Sequence, residues 1–245
     1  FKGYIDEARL TVHSPRYTVG FALPTNPFPD LICAGAPDVP CDPYWSEVVL
    51  SLDGTDFIDK SSYATAITNT GITISGGMYQ CNGTGQLDTT TNSANFDLWA
   101  VDSTIEFFML RNSTGYGAIF GQGAGYNLIG MSVGGPLKMY IANAECISVA
   151  VPSADVDHHI AFTHRLSDRR VQCFIDGILV GTGTATGTPP GGNHFTLLGE
   201  QASGSPPQLG YGGLVQVRGM RFTRGVVRYT SDFTPPAAPF YEVAC

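Results

Sequence analysis

From about residue 47 onward, short runs of apolar and β-branched residues alternate with clusters of glycine, proline, asparagine and aspartate. Apolar runs bounded by turn-forming residues favour β-strands. No stretch of 12 residues carries the 3.6-residue apolar period of an amphipathic helix, and one short helical turn is predicted within 95–102. The predicted strands are 47–52, 71–74, 104–110, 118–120, 127–133, 137–141, 159–164, 171–175, 178–182 and 215–223.

The clearest prediction is a three-stranded meander over residues 158–185. The dipeptide Asp176-Gly177 separates its last two strands. This pair is typical of a type I′ hairpin turn, because both positions of that turn need positive φ. Many antiparallel strands at this spacing predict an all-β fold, an antiparallel jelly-roll β-sandwich.

The composition fits such a fold and excludes several partners. Hydrophobic residues make up 43% of the 245 residues, enough to bury a core, and 30 glycines and 16 prolines supply many turns. The net charge is −8 and no basic patch is visible, so we expect no nucleic-acid partner. No apolar run reaches about 18 residues, so no membrane insertion is expected. Since no initiator methionine is present, we expect a fragment or a processed product.

Six cysteines are too sparse for a small disulfide scaffold. Cys146 and Cys173 lie in apolar strand-like runs, which predicts buried free thiols. Cys33 and Cys41 flank a proline-rich stretch and could be bridged in an oxidising compartment.

The two ends of the chain repeat one another at an offset of 212 residues. Nine of the 26 positions from Gly3 to Phe28 are identical to their counterparts without a gap, whereas chance gives roughly one or two. The identical pairs are Arg9 with Arg221, Thr11 with Thr223, Arg16 with Arg228, Tyr17 with Tyr229, Thr18 with Thr230, Phe21 with Phe233, Pro24 with Pro236, Pro27 with Pro239 and Phe28 with Phe240.

The repeat predicts a domain organisation. Residues 1–30 would be the last strand and exit arm of a preceding copy, 31–43 a linker, and 44–245 one complete domain. The alternative is that the N-terminal segment belongs to the same compact domain. In either case the apolar residues Tyr4, Ile5 and Leu10 need a surface to pack on, in this domain or in a neighbouring chain.

Several segments together resemble a known family. They are Leu50-Ser51-Leu52-Asp53-Gly54, Thr104 to Phe108, His158 to Arg165, Phe174 to Gly177 and the closing stretch Arg221 to Pro236. The set resembles the laminin-G-like, concanavalin A-like jelly-roll domains of phage tail and virion proteins. The closing Arg-Tyr-Thr-x-x-Phe-x-Pro-Pro arm is its most specific part. One departure is Asp157, which stands where the family usually has a tryptophan.

The resemblance implies a binding or structural module whose known relatives tend to bind glycans, some with calcium. Exposed aromatic and amide side chains in glycine-rich loops are the usual sugar contacts, although tyrosines in such loops often pack on their own rim. The candidate ligand-binding residues are Tyr116, Tyr126, Asn127, Asn143, Asn193, His194 and Tyr211.

A calcium site is the one metal site that the sequence suggests. Asp53, Asp56 and Asp59 are oxygen donors at short spacing, as Ca²⁺ prefers. The pattern lacks the EF-hand loop signature, and turn-stabilising aspartates are the alternative. No specific cofactor is expected beyond this.

Catalysis is not expected. The concanavalin A-like fold also hosts glucanases with two carboxylates on one strand, but Glu106 stands alone on its predicted strand. Asp6 and Glu7 correspond to Arg218 and Gly219 in the complete copy, and the sequence holds no Gly-x-Ser-x-Gly motif. Spacing pairs none of the serines with a histidine.

We therefore expect a non-enzymatic structural or adhesion module of a phage virion, in a tail fibre, tail tip or surface decoration. Its expected partners are other virion proteins, copies of itself and host glycans. The alternative is a lectin-like module of a cellular surface adhesin, located outside the cell. A hydrolase is the third hypothesis.

Overall fold

The structure of the protein is a computed structural model, and it consists of two antiparallel β-sheets. The structure describes residues 41–82, 85–89, 94–122, 127–131, 135–142, 144–187, 195–198, 213–236 and 240. The strands are β1 Val48–Leu52, β2 Ile67–Thr70, β3 Thr73–Ser75, β4 Met78–Asn82, β5 Gln86–Thr89, β6 Ser103–Gln122, β7 Asn127–Met131, β8 Leu137–Ile141, β9 Ala144–Val149, β10 Asp157–Arg165, β11 Arg170–Ile175, β12 Ile178–Thr184, β13 Phe195–Leu197 and β14 Gly213–Arg224. The helices Trp45–Glu47 and Ala94–Phe96 are single 3₁₀ turns, and no helix in the described ranges could cross a membrane.

Strand β6, 20 residues long, belongs to both sheets. Its first half lies between β10 and β14 in the order β12-β11-β10-β6-β14, with β1 and β4 on the far side of β14 and β3 beside β4. Its second half lies in the other sheet, in the order β2-β5-β13-β6-β7-β8-β9. Every pairing is antiparallel, as the turn-rich sequence predicts.

The core lies between the two sheets. Alternate side chains of β6 point inward, as in Ile105, Phe107 and Met109, all of which are buried. Phe120, Phe195 and their neighbours from the second sheet pack against them.

The outer face of the first sheet carries a third layer. The segment of residues 225–236 together with Phe240, here called the arm, follows β14 and folds back over β6, β10 and β11. The backbone N–H of Arg228 donates to Thr104 Oγ1 at 3.0 Å, and the N–H of Phe233 donates to the Gly177 carbonyl at 2.9 Å. Proline at 235 and 236 cannot donate to a ladder, so the arm covers the sheet without extending it.

The predicted fold class is confirmed, and so is the turn at Asp176-Gly177, where φ is 51° and 78°. Two predicted strands, 104–110 and 118–120, are one strand, because β6 bends from one sheet to the other. Strands β2, β4, β5, β9 and β13 were not predicted, since they are short and half polar.

The cysteine predictions are met where the structure describes them. Cys146 and Cys173 are buried free thiols. Burial raises the pKa of both thiols and keeps them protonated. Cys41 is disulfide-bonded, and Cys33 lies outside the described residues.

Candidate functional site

The most extensively built polar site lies under the arm. It consists of Asp42, Glu106, Arg221, Arg228 and Tyr229, and is here called the clamp. Arg221 donates from Nε to Glu106 Oε1 at 3.0 Å and from Nη1 to Asp42 Oδ2 at 2.9 Å. Arg228 donates to both oxygens of Asp42 at 2.8 and 2.9 Å. Tyr229 donates its hydroxyl proton to Glu106 Oε2 at 2.8 Å.

The protonation states of Glu106 and Tyr229 in the clamp are set by burial and by the neighbouring charges. Burial by itself would raise the pKa of Glu106, but the positive charge of Arg221, the hydrogen bond to His159 and the charge of Arg228 lower that pKa overall. Burial and the nearby negative charge of Glu106 both raise the pKa of Tyr229. Glu106 is therefore ionised and Tyr229 is protonated, which fixes them as an acceptor and a donor. Glu106 is fully buried beneath the arm.

Aromatic rings and a histidine pack against the clamp. His159 Nε2 lies 3.1 Å from Glu106 Oε2, and its ring meets Phe240 edge to face. Phe233 stacks on Tyr229 with ring centroids 3.6 Å apart, and the Arg221 guanidinium lies 4.2 Å from the centre of the Phe240 ring. These contacts join β6 and β14 to the arm.

The candidate calcium ligands have other partners. Buried Asp59 accepts from the backbone N–H groups of Ser51 and Ser61 at 2.9 Å each and from that of Thr65 at 2.8 Å. Asp56 Oδ2 lies 2.6 Å from Lys60 Nζ, which lies 4.0 Å from Asp53 Oδ2. Within the described ranges, no three acidic, histidine or cysteine side chains are placed to hold a metal ion. The structure assigns these aspartates the turn-stabilising roles that the sequence left as the alternative.

Five of the seven glycan candidates lie outside the described residues: Tyr126, Asn143, Asn193, His194 and Tyr211. Tyr116 lies in β6, where its backbone is opposite Gly213. Asn127 opens β7 opposite Gln122.

Backbone register places Asn127 at the same end of the sheet as Phe195 and Ala144. These two residues directly follow the candidates His194 and Asn143 in the sequence. Gln122 at the end of β6 is opposite Asn127 on one side and Phe195, the residue after His194, on the other. The β8–β9 hairpin, which turns between Ile141 and Ala144, is at the same end of the sheet because Leu128 is opposite Tyr140. This end of the second sheet, marked by Gln122, Asn127, Ile141, Ala144 and Phe195, is here called the amide end. Tyr116 lies apart from it.

The structure also pairs a serine with a histidine, contrary to the sequence-based expectation. Ser153 Oγ lies 2.7 Å from His158 Nε2, and His158 Nδ1 lies 2.6 Å from Asp176 Oδ2. The hairpin turn produces the match, because Asp176 donates its N–H to the His159 carbonyl at 2.8 Å. Spacing could not reveal it, since the pairing needs the register of β10 against β11. This order of groups is that of a nucleophilic triad, but Ser153 and Asp176 lie exposed on the surface.

The family model described as the concanavalin A-like lectin/glucanases superfamily matches residues 82–217, more than half of the chain. The chain therefore belongs to the concanavalin A-like lectin/glucanase superfamily. A comparison with curated protein sequences gives no match.

Solved structures with this fold include sugar-binding proteins. A botulinum neurotoxin type C structure, described as interacting with two ganglioside molecules, is 14% identical with a TM-score of 0.58; the alignment covers 75% of this chain and 49% of that one. A sialidase of Trypanosoma rangeli in complex with 2,3-difluorosialic acid is 14% identical with a TM-score of 0.57, covering 80% and 34% respectively. The chain thus spans about half or a third of these proteins, and at this identity the likeness establishes the fold alone.

Proposed function

We propose that this chain is a non-enzymatic carbohydrate-binding module that attaches its parent assembly to a glycan-bearing surface. The observation that carries the proposal is membership of the lectin/glucanase superfamily together with a Glu106 that is fully buried in ion pairs. Glu106 instead holds β14 and the arm in place, because it accepts from Arg221 Nε at 3.0 Å and from the Tyr229 hydroxyl at 2.8 Å. Sialylated glycans and gangliosides are the first ligands to test, because structural neighbours bind or are described with such ligands.

The proposed contact surface is the amide end. Asn127 is the described candidate there, and Asn143, His194 and Tyr126 adjoin it in sequence. Amide, imidazole and phenol side chains are of the polar and aromatic kinds that orient ligands in binding sites. Gln122 is held from beneath, since Trp99 Nε1 donates to Gln122 Oε1 at 2.9 Å. A rigid support of this kind favours a preorganised surface.

The proposed setting is a phage virion, as part of a tail fibre, tail tip or surface decoration. The Arg-Tyr-Thr-x-x-Phe-x-Pro-Pro arm supports it, because this ending resembles the phage-type members of the family. The second candidate is a lectin-like domain of a cellular surface adhesin, which the same fold supports. Antibody against the purified chain should label phage particles under the first proposal and intact cells under the second.

A glycan array tests the binding proposal. Wild-type protein should bind a narrow set of glycans. Asn127→Ala and Tyr126→Ala should each weaken that binding by about tenfold, the effect of losing one good contact. Ile178→Ala is the control, because Ile178 is 54% exposed at the start of β12, in the other sheet. If Tyr116→Ala loses binding while the amide-end variants keep it, the glycan site lies near Tyr116 and not at the amide end. If the wild-type protein binds no glycan selectively, the proposal is contradicted and a purely structural role is favoured.

The same glycans test the non-enzymatic part. Ser153 and Asp176, at the two ends of the relay through His158, are exposed to water, whereas charge stabilisation in catalysis needs a water-excluded site. Mass spectrometry after incubation should therefore return the glycans unchanged. Deacylation or hydrolysis of a glycan that is lost in Ser153→Ala would show that the protein is an enzyme and would contradict this part of the proposal.

A further inference from the structure

Two side chains on the outer face of β11 carry buried nitrogen atoms that have no hydrogen-bond partner among the described residues. Gln172 is 4% exposed, and its Nε2 is one of these atoms. Arg170, two residues earlier, has an unpartnered Nε. Because Val171 and Cys173 lie in the core, Arg170 and Gln172 point together to the opposite face. Buried polar groups are normally paired, so two neighbouring donors without partners indicate an acceptor that comes from outside the domain.

The positive charge of Arg170 is also unbalanced. Arg165 is opposite Arg170 in the β10–β11 pair, where like charges repel. Asp168 accepts from Arg165 Nε at 2.9 Å and from its Nη2 at 2.5 Å, and among the described residues no carboxylate forms an ion pair with Arg170. Asp102 is engaged nearby by the N–H of Leu166 at 2.8 Å. This edge of the sheet therefore has an uncompensated guanidinium on a chain whose net charge is −8.

Hydroxyl groups border the two side chains. Thr182 and Thr184 of β12 are opposite Gln172 and Arg170 respectively, and both threonines are exposed. They share the outer face, because a Cβ built at Gly183 between them would meet the backbone of β9 on the inner side. Arg170 is half-buried and Gln172 is buried, so the arginine and the threonines face solvent while Gln172 forms the floor.

We propose that Arg170, Gln172, Thr182 and Thr184, here called the arginine site, bind the carboxylate of an acidic sugar, a uronate or a sialate. A carboxylate offers acceptor oxygens only, and one guanidinium can hold both of them. The threonine hydroxyls can donate to or accept from the hydroxyls of the same sugar ring. The inference rests on the proposed glycan binding and adds a second contact, which lies in the other sheet from the amide end.

Two pairs of sugars test the proposal on the full chain by ¹H–¹⁵N NMR. Glucuronate and glucose differ at one carbon, which is a carboxylate in the first and a CH₂OH group in the second. Sialyllactose and lactose form the second pair, and comparison of the two pairs distinguishes a sialate from a uronate. We expect at least one acidic sugar, and neither neutral one, to shift the backbone amide signals of residues 182–184. Acetate that binds as tightly as the acidic sugars would overturn the assignment to a sugar.

Matched arginine substitutions locate the binding. Arg170→Gln should weaken the binding of the acidic sugar by at least about tenfold, as expected for the loss of a charge-assisted, two-pronged contact. Arg169→Gln is the control and should leave binding nearly unchanged. It removes the same charge from the neighbouring position, where the exposed Arg169 donates to the Gly187 carbonyl. Equal binding by the two variants, or no binding of either acidic sugar to the wild-type protein, would show that the proposal is wrong.

Gln172→Met separates a role in binding from a role in stability. Methionine fills a similar volume without a polar group to bury. We therefore expect weaker binding of the acidic sugar, by severalfold, with a melting temperature that is unchanged or higher. A lower melting temperature with unchanged binding would make Gln172 structural and contradict its place in the site. Failure of the proposed function would be seen differently, as the absence of selective binding of any glycan, acidic or neutral, on the array.

Discussion

Glu106 shows how one side chain joins distant parts of the chain. It lies on the outer face of β6 and receives hydrogen bonds from Arg221 of β14 and Tyr229 of the arm, 115 and 123 residues further on. Two guanidinium groups and two carboxylates balance the charge of the buried clamp. Balance of this kind offsets the cost of removing each ion from water.

Removing the charge of Glu106 is therefore expected to cost far more than removing that of a surface carboxylate. Glu106→Gln leaves Arg221 partly unpaired in the interior and should lower the free energy of unfolding by about 3–5 kcal/mol. The control is Glu145→Gln, which breaks an exposed pair with Lys138 and should leave that free energy nearly unchanged. Urea unfolding at pH 7 measures both. Similar losses in the two variants would contradict a buried clamp.

The arm acts at the scale of an element, because it fixes the hairpin between β11 and β12. Gly177 has a φ of 78°, and a Cβ built there would lie 1.9 Å from the Phe233 carbonyl oxygen. Asp232 continues the contact by accepting from the Leu179 N–H at 2.8 Å. Position 177 thus requires glycine for two reasons: its backbone has a positive φ, and the Phe233 carbonyl leaves no room for a Cβ.

A pair of alanine substitutions separates these reasons. Gly76 has a φ of 59° with open space around it, so Gly76→Ala carries the conformational cost alone, about 1–2 kcal/mol. Gly177→Ala adds the clash and should cost about 3 kcal/mol or more, with faster proteolysis of the arm. Denaturant unfolding provides the comparison. Equal losses would mean that the arm does not close on the turn.

At the scale of the whole molecule, two buried groups make stability depend on pH on the acid side. Burial lowers the pKa of His164 below its ordinary 6.5, despite the hydrogen bond from its ring to the Val101 carbonyl. The pKa of Glu106 lies below its ordinary 4.5. In both cases the unfolded chain takes up the proton first as pH falls, so stability decreases on acidification.

Thermal unfolding across pH should show two successive declines. The first begins near pH 6.5 and is removed by His164→Asn, which keeps a donor for the Val101 carbonyl but cannot titrate. The second begins below about pH 4.5 and is flattened by Glu106→Gln. A wild-type melting temperature that is constant between pH 7 and 3 would rule out both assignments.

The sequence predicted much of the fold and less of the site. Strand runs such as 159–164 and 171–175 were identified because a short apolar run bounded by turn residues is a local property. The turn at Asp176-Gly177 was identified for a similar reason, since two adjacent residues specify it. The glycan candidates stay a prediction, with Asn127 and Tyr116 placed by backbone register at different parts of the molecule.

The sequence by itself determined the antiparallel strands, the hairpin and the repeat that supplies the clamp donors, since all of these are legible in neighbouring residues or in direct comparison of two segments. Only the tertiary structure decided that Asp42, Glu106 and His159 receive those donors, that β6 serves both sheets, and that Ser153, His158 and Asp176 align. The physical reason is register. Which residue faces which across paired strands depends on the packing of the whole sandwich, and local alternation carries no information about it.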